Sequence, residues 1–171
     1  MNKKVLFKET QRFTQWWIWL PLLLLVSYAF YGISKQLLTG VTFGEHPLSN
    51  LGVMGLGLLL LVVLALFWYM RLETIITENG VYVQLFPFHL RKRYIAWERV
   101  QQCYVRQYKP LREFGGWGIR YGFAGKAYNV AGNEGLQLVY GSNEKLLIGT
   151  QKSEELEEVL KLFALYKPYT F

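Results

Sequence analysis

The chain contains no aspartate, one cysteine and two histidines among its 171 residues. Zinc sites and nucleophilic triads need combinations of histidine, cysteine and carboxylate side chains that this composition can scarcely supply. Cys103 is alone, so a disulfide within the chain is excluded, which suits a domain facing a reducing compartment. We therefore expect no enzyme, no bound metal and no cofactor, and we expect Cys103 to be a small buried strand residue.

Charged residues are also missing from two long apolar runs, Trp16 to Ile33 and Leu51 to Tyr69. As helices, these runs would be roughly 27 to 29 Å long at about 1.5 Å per residue, close to the ~30 Å hydrocarbon core of a bilayer. We predict two transmembrane helices, at about residues 14–33 and 51–70, within an N-terminal segment 1–70. Because neither run carries an ionisable residue, a transport pathway is not expected.

A cleaved signal peptide is the alternative interpretation of the first run. Four basic residues precede it, and Ser27-Tyr28-Ala29 loosely resembles a cleavage site. However, the bulky Phe30 and Tyr31 follow, and a second run of full length comes later in the chain. A helical hairpin explains both runs.

The orientation of this hairpin is predicted from the basic residues around it. Four precede the first run, Lys35 alone lies between the runs, and Arg71 follows the second. The positive-inside rule then predicts that both termini are cytoplasmic and that Ser34 to Asn50 lie outside. Tryptophan and tyrosine at the ends of the runs belong at the headgroup level.

From Glu73 onward, short alternating stretches separated by turn residues predict antiparallel β structure. Residues 73–78 and 81–86 flank Asn79-Gly80, a pair that supplies the positive φ angles of a type I′ turn and so predicts a β-hairpin. The chain is expected to have about seven strands in this region, the others including 93–97, 101–108, 127–130, 136–140 and 145–148.

Residues 115–122 are rich in glycine, with large side chains between the glycines. No Gly-Lys-Ser/Thr sequence and no helix follow, so a phosphate-binding loop is not expected. We expect a structural role instead: glycines such as Gly118 permit a twisted or bulged strand, and Trp117 packs across it.

After the strands, the sequence predicts an amphipathic helix at residues 153–163. One face of this helix carries Leu156, Val159, Leu160 and Phe163. Seven antiparallel strands followed by one helix is the order of a pleckstrin-homology-like barrel. The predicted fold class is therefore α+β: a two-helix transmembrane hairpin, then a pleckstrin-homology-like domain at residues 71–171.

At this point the chain resembles the bacterial membrane proteins in which one or two transmembrane helices precede a pleckstrin-homology-like domain. The resemblance rests on the hairpin and on four segments: Arg71-Leu72-Glu73-Thr74, Trp97-Glu98-Arg99-Val100, Gly118-Ile119-Arg120 and Leu147-Ile148-Gly149-Thr150. It implies a location in the bacterial plasma membrane and a binding scaffold without catalytic residues. Eukaryotic relatives that bind phosphoinositides have basic residues around the first hairpin loop, where this chain has Glu78-Asn79-Gly80, so that route is not expected.

Basic residues are concentrated between Arg91 and Lys126, where nine face two glutamates, whereas the segment from Glu134 to Lys161 is acidic. Near an anionic bilayer, each lysine or arginine contributes about 1 kcal/mol. The candidate contacts with lipid headgroups or a partner are Arg91, Lys92, Arg93, Arg99, Arg106, Lys109 and Arg112. The alternative interpretation is a solvated face that only satisfies the positive-inside rule.

Two functions from different classes follow. In the first, the domain binds a protein or peptide, and the hairpin keeps that partner at the membrane. In the second, the domain senses anionic lipid with residues 91–126. Nucleic acid is not expected, because no recognition helix or RNA-binding signature accompanies the charge. A homo-oligomer stays open, since Gly52, Gly55 and Gly57 are too irregularly spaced to establish helix dimerisation.

Overall fold

A computed structural model describes residues 4–40 and 49–162. The elements in chain order are β1 (Val5–Arg12), α1 (Trp16–Thr39), α2 (Asn50–Tyr69), β2 (Arg71–Thr77), β3 (Gly80–Phe86), β4 (Arg93–Ala96), a 3-10 turn (Trp97–Arg99), β5 (Val100–Gln107), α3 (Pro110–Phe114), β6 (Gly118–Gly122), β7 (Gly125–Asn129), β8 (Glu134–Tyr140), β9 (Glu144–Thr150) and α4 (Ser153–Leu162). Residues 13–69 form one compact unit, the helical unit, and the described residues before and after it form the other, the β domain.

Both helices of the helical unit are long and apolar enough to cross a membrane. They pack closely at Gly57, where an added Cβ would lie 2.9 Å from Cδ1 of Ile33. α1 continues past the predicted end at residue 33 and stops at Gly40, whose left-handed backbone (φ 68°) lets its N–H donate to the carbonyl of Gln36. Residues 34–39, predicted to lie in the outer connection, are therefore helical, and the rest of that connection, 41–48, lies outside the described residues.

The strand β1 was not expected from the sequence, and it changes the boundaries of the domain. It pairs antiparallel with β2, from Val5 opposite Thr77 to Arg12 opposite Arg71. The predicted division into 1–70 and 71–171 therefore differs from the observed one, in which the N-terminal strand belongs to the β domain. The two long helices are inserted between two strands that pair with each other.

Strands β1 to β4 form the first sheet, in the order β1-β2-β3-β4. The predicted β2–β3 hairpin is confirmed, but its turn is Glu78-Asn79, because Thr77 pairs with Gly80. Neither Asn79 nor Gly80 is among the described residues with positive φ, so the predicted type I′ turn is wrong. Gly80 has a different reason to be glycine: an added Cβ would lie 2.3 Å from the carbonyl oxygen of Ile95 on the neighbouring strand.

Strands β5 to β9 form the second sheet, in the order β5-β8-β9-β7-β6. The described residues thus contain nine strands rather than about seven, and one pair, β7 with β9, is parallel rather than antiparallel. Helix α4 packs against the β domain through Leu156 and Leu160, and both side chains are fully buried. Cys103 on β5 is fully buried, as predicted.

The glycine-rich segment forms β6 and the turn before it, as expected. Gly118 begins the strand with a φ of 110°, which favours glycine, and its N–H donates to the side chain of Asn129 at 3.0 Å. The half-buried Trp117 reaches the loop before β8, where its indole N–H donates to the carbonyl of Gly132 at 3.3 Å. This hydrogen bond ties Trp117 to the loop before β8, and its packing across the strand stays a prediction.

Candidate functional site

The structure distributes the seven candidate basic residues over several places rather than along one face. Arg106 lies on β5 and forms a 2.8 Å ion pair with Glu113, which also accepts a hydrogen bond from the backbone N–H of Lys109. Burial alone would raise the pKa of Glu113, but these two donors outweigh it and hold the pKa below 4.5. Arg112 is exposed on α3. Arg106 and the backbone of Lys109 thus hold Glu113 in the connection between β5 and β6, and Arg112 faces solvent.

Lys92 and Arg91 lie in the loop between β3 and β4. Lys92 forms a 3.0 Å ion pair with Glu73, whose other carboxylate oxygen lies 3.6 Å from Lys8 on β1. Burial would raise the pKa of Glu73, but the two lysines outweigh it and lower the pKa. Arg91, the neighbour of Lys92, is exposed. Lys92 is thus engaged in joining the loop to the first sheet, and Arg91 faces solvent.

Arg93 and Arg99, by contrast, line the same surface cleft, which has a volume of about 330 Å³. We call it the cationic cleft. β4 and the turn after it supply the two arginines, and β7, β8 and β9 supply the opposite wall. Its lining residues are Arg93, Tyr94, Ile95, Arg99, Tyr128, Tyr140 and Leu146.

The ring of Tyr128 lies close to two cationic side chains, one in the cleft and one beside it. This ring has the guanidinium carbon of Arg93 at 5.8 Å and the ammonium of Lys126 at 5.3 Å, both within the range of cation–π attraction. Burial works against the charge of Lys126, but contact with Tyr121 and Tyr128 outweighs it and raises the lysine pKa. Lys126 therefore remains a cation beside the cleft.

His89 packs edge-on against the same ring, with the ring centroids 4.8 Å apart. Burial lowers its pKa below 6.5, and the charges of Arg93 and Lys126 lower it further. A neutral imidazole is consequently favoured next to these two cationic side chains, and its Nδ1 accepts a hydrogen bond from the backbone N–H of Leu85.

The hydroxyl of Tyr128 is buried beside Lys126, whose pKa it helps to raise. The hydroxyl of Tyr140 is engaged with Glu144, and burial together with that carboxylate raises its pKa. The guanidinium groups of Arg93 and Arg99, with the ammonium of Lys126 beside the cleft, suit a carboxylate or phosphate.

Of the predicted site residues, the structure therefore brings together Arg93 and Arg99. The sequence analysis did not single out Lys126, Tyr128 and Tyr140 as site residues, although the alternation of Lys126 and Tyr128 was a signal for one face of a strand. In comparisons with family models and with curated proteins, no match to this chain was found.

Proposed function

We propose that this protein is a membrane-anchored binding module. In this proposal, α1 and α2 cross the plasma membrane as a hairpin, both termini are cytoplasmic, and the β domain recruits a protein or peptide partner at the inner face. The cationic cleft would bind an acidic group of that partner. The observation that carries the proposal is that Arg93 and Arg99 line one cleft together with Tyr128, whose ring also has the ammonium of Lys126 at 5.3 Å.

The strand order supports a pleckstrin-homology-like domain. The first sheet β1-β2-β3-β4, the antiparallel strands β5, β8 and β9, and the terminal helix α4 amount to seven antiparallel strands and one helix. The remaining β6–β7 hairpin adds to the edge of β9 through the parallel pair. On this assignment the hairpin β6–β7 and the pair α1–α2 are two insertions into the domain.

The pairing of β1 with β2 supports the proposed topology. These strands lie before and after the two apolar helices, so the chain on both sides of the helices must be in the same compartment for them to pair. An even number of crossings meets this requirement. Removal of the first helix as a signal peptide would also remove β1, which argues against that alternative.

Cysteine labelling tests the topology. Cysteines introduced by Thr42→Cys and Ser142→Cys should react with an impermeant reagent from opposite sides of intact cells. The native Cys103 is buried and serves as the unreactive background. External labelling of both introduced cysteines would contradict cytoplasmic termini.

Anion binding is tested with the full chain in lipid nanodiscs and inorganic phosphate as the probe. A ligand that binds only the folded state at 100 times its Kd stabilises it by about 2.7 kcal/mol. Phosphate should therefore raise the thermal stability of the wild type relative to chloride at equal ionic strength. The variant R93Q/R99Q should lose this effect, and the matched control K109Q/R112Q, which removes two cations outside the cleft, should keep it.

Capture of a partner from native membranes completes this test. R93Q/R99Q should capture less of any partner that the wild type and K109Q/R112Q both capture. Equal phosphate stabilisation in all three proteins would show that the cleft is not an anion site, and equal capture would show that the partner binds elsewhere.

A second candidate function, contact of the domain with anionic lipid, is favoured by Arg91, which is exposed in the loop between β3 and β4. Lys92 and Arg106 are already engaged in ion pairs with glutamates, so fewer basic residues of the stretch 91–126 are left to contact lipid headgroups. Association with anionic vesicles that weakens as salt rises, and that R93Q/R99Q leaves unchanged, would favour lipid over a cleft-bound partner.

A further inference from the structure

The loop between β3 and β4, residues 87–92, exposes two large apolar side chains. Phe88 is 56% exposed and Leu90 is 82% exposed, whereas His89 between them is only 8% exposed. Single exposed apolar residues are common on protein surfaces and need no explanation. The question is whether the fold holds these two side chains outward.

Hydrogen bonds define the shape of this loop. The N–H of His89 donates to the carbonyl of Leu85 at 2.8 Å, and the N–H of Leu85 donates to the imidazole of His89 at 3.2 Å. The side-chain amide of Gln84 donates to the carbonyls of His89 and Leu90, at 2.8 and 3.3 Å. With His89 anchored inward against Tyr128, its neighbours Phe88 and Leu90 are held outward on an ordered loop.

The register of the first sheet places this loop at one particular end. There, Arg12 of β1 is opposite Arg71 of β2, and Arg71 is opposite Phe86 of β3. Three residues separate Arg12 from α1, one residue separates α2 from Arg71, and the loop follows Phe86 directly. At about 4.8 Å between neighbouring strands, Phe86 lies only about 10 Å from Arg12.

The opposite end of this sheet carries the turn Glu78-Asn79. It differs from the loop in composition, since Glu78 is acidic and forms a 3.9 Å ion pair with Lys4. The sheet thus has two different ends, separated by the seven-residue strands β2 and β3. One end is apolar and basic and contains Arg12 and Arg71, the residues that lead to and from the two long helices. The other end is polar.

We propose that residues 87–92 are a bilayer-docking loop, in which Phe88 and Leu90 enter the membrane interface and Arg91 lies among the lipid phosphates. This inference rests on the proposed crossing of the membrane by α1 and α2. We name the bilayer as the occupant because of the chain connectivity. Arg12 and Arg71, at this end of the sheet, are separated by at most three residues from α1 and α2, which are embedded in the bilayer in the proposed function. Apolar side chains beside a cation suit the boundary between acyl chains and anionic headgroups.

The experiment measures the depth of single positions in the full chain reconstituted into nanodiscs of anionic phospholipid. A polarity-sensitive fluorophore is attached to a cysteine introduced by Leu90→Cys, Glu78→Cys or Leu59→Cys, and quenching by lipids with a nitroxide on the acyl chain is recorded. Leu90, Glu78 and Leu59 are all exposed, so the labels replace no core packing, and Cys103 is buried.

We expect the label at position 59, in the middle of α2, to be strongly quenched, the label at 90 to be quenched several-fold more than the label at 78, and the emission at 90 to be shifted to the blue. Phe88→Ser with Arg91→Gln should reduce the quenching at 90. Quenching at 59 with equal, weak quenching at 90 and 78 would overturn the docking loop and leave the membrane hairpin standing. Absence of quenching at 59 would overturn both.

Discussion

The participation of β1 in the core of the β domain can be tested by truncating Phe7. This side chain is 2% exposed, and it belongs to a strand that is separated from the rest of the domain by the two long helices. Truncation of a buried phenylalanine to alanine costs about 3 to 5 kcal/mol, because both the transfer free energy and the packing contacts are lost. We therefore expect Phe7→Ala to lower the free energy of unfolding of the β domain by this amount.

The buried Cys103 on β5 supplies the assay. It is the only cysteine, and its thiol becomes reactive when the domain opens, so the extent of pulsed labelling against urea concentration reports unfolding of the β domain. With an m value of about 2 kcal/mol per molar urea, the midpoint of the full chain in micelles should fall by roughly 1.5 to 2.5 M.

Val5→Ala is the matched control, since Val5 lies on the same strand and is 53% exposed. Its substitution should shift the midpoint by much less. The reasoning would be refuted if Phe7→Ala and Val5→Ala had the same midpoint as the wild type, because β1 would then contribute nothing to the stability of the domain.

Three further predictions follow from contacts already described. Gly80→Ala should destabilise the domain by about 1 to 3 kcal/mol in the same assay, because its Cβ would collide with the carbonyl of Ile95; an unchanged midpoint would contradict this close approach. The lowered pKa of His89 means that the unfolded chain takes up a proton more readily, so stability should be full above pH 6.5 and fall as the pH drops below it; His89→Gln should flatten that dependence, and a flat wild-type profile would refute it. Joining Arg12 to Arg71 through Asn-Gly in place of residues 13–70 should yield a folded, soluble β domain, since these two residues already face each other; an unfolded product by circular dichroism would count against the register.

The β2–β3 hairpin could be predicted from the sequence because its signals are local. Alternating residues flank a turn-forming pair, and the strands are adjacent in the chain. The exact turn could not be predicted, because the conformation of Asn79 and Gly80 depends on contacts with β4 and the 3-10 turn that follows it. The carbonyl of Asn79 accepts hydrogen bonds from the backbone of Trp97 and the hydroxyl of Tyr94, and Gly80 makes room for Ile95.

The strand β1 escaped prediction because its inward face is largely polar. Phe7, Glu9 and Gln11 are all buried, so the alternation does not separate apolar from polar residues. The carboxylate of Glu9 accepts hydrogen bonds from the hydroxyl of Thr150 and the N–H of Gln151, at 2.6 and 2.8 Å. These partners lie more than 140 residues away in sequence, and no local pattern announces them.

Only the two arginines of the cationic cleft could be predicted from the sequence, and its opposite wall could not. Arg93 and Arg99 stood out as part of a basic stretch, but the same stretch includes Arg106, which is engaged with Glu113. The wall that distinguishes the cleft comes from β7, which reaches it through its parallel pairing with β9. Parallel pairs join segments that are not neighbours in the chain, so periodicity within one segment cannot reveal them.

The position of the two long helices between β1 and β2 has a consequence for biosynthesis. When β1 leaves the ribosome, its partner β2 is still more than 50 residues from being made. If α1 and α2 cross the membrane as proposed, the N-terminal strand must therefore wait while both helices are delivered to the bilayer. If one helix failed to insert, β1 and β2 would be left on opposite sides, and Phe7 and Glu9 could not reach the core. Completion of the first sheet would then act as a proofreading step, in which only correctly inserted chains acquire a closed domain and the others stay open to proteolysis.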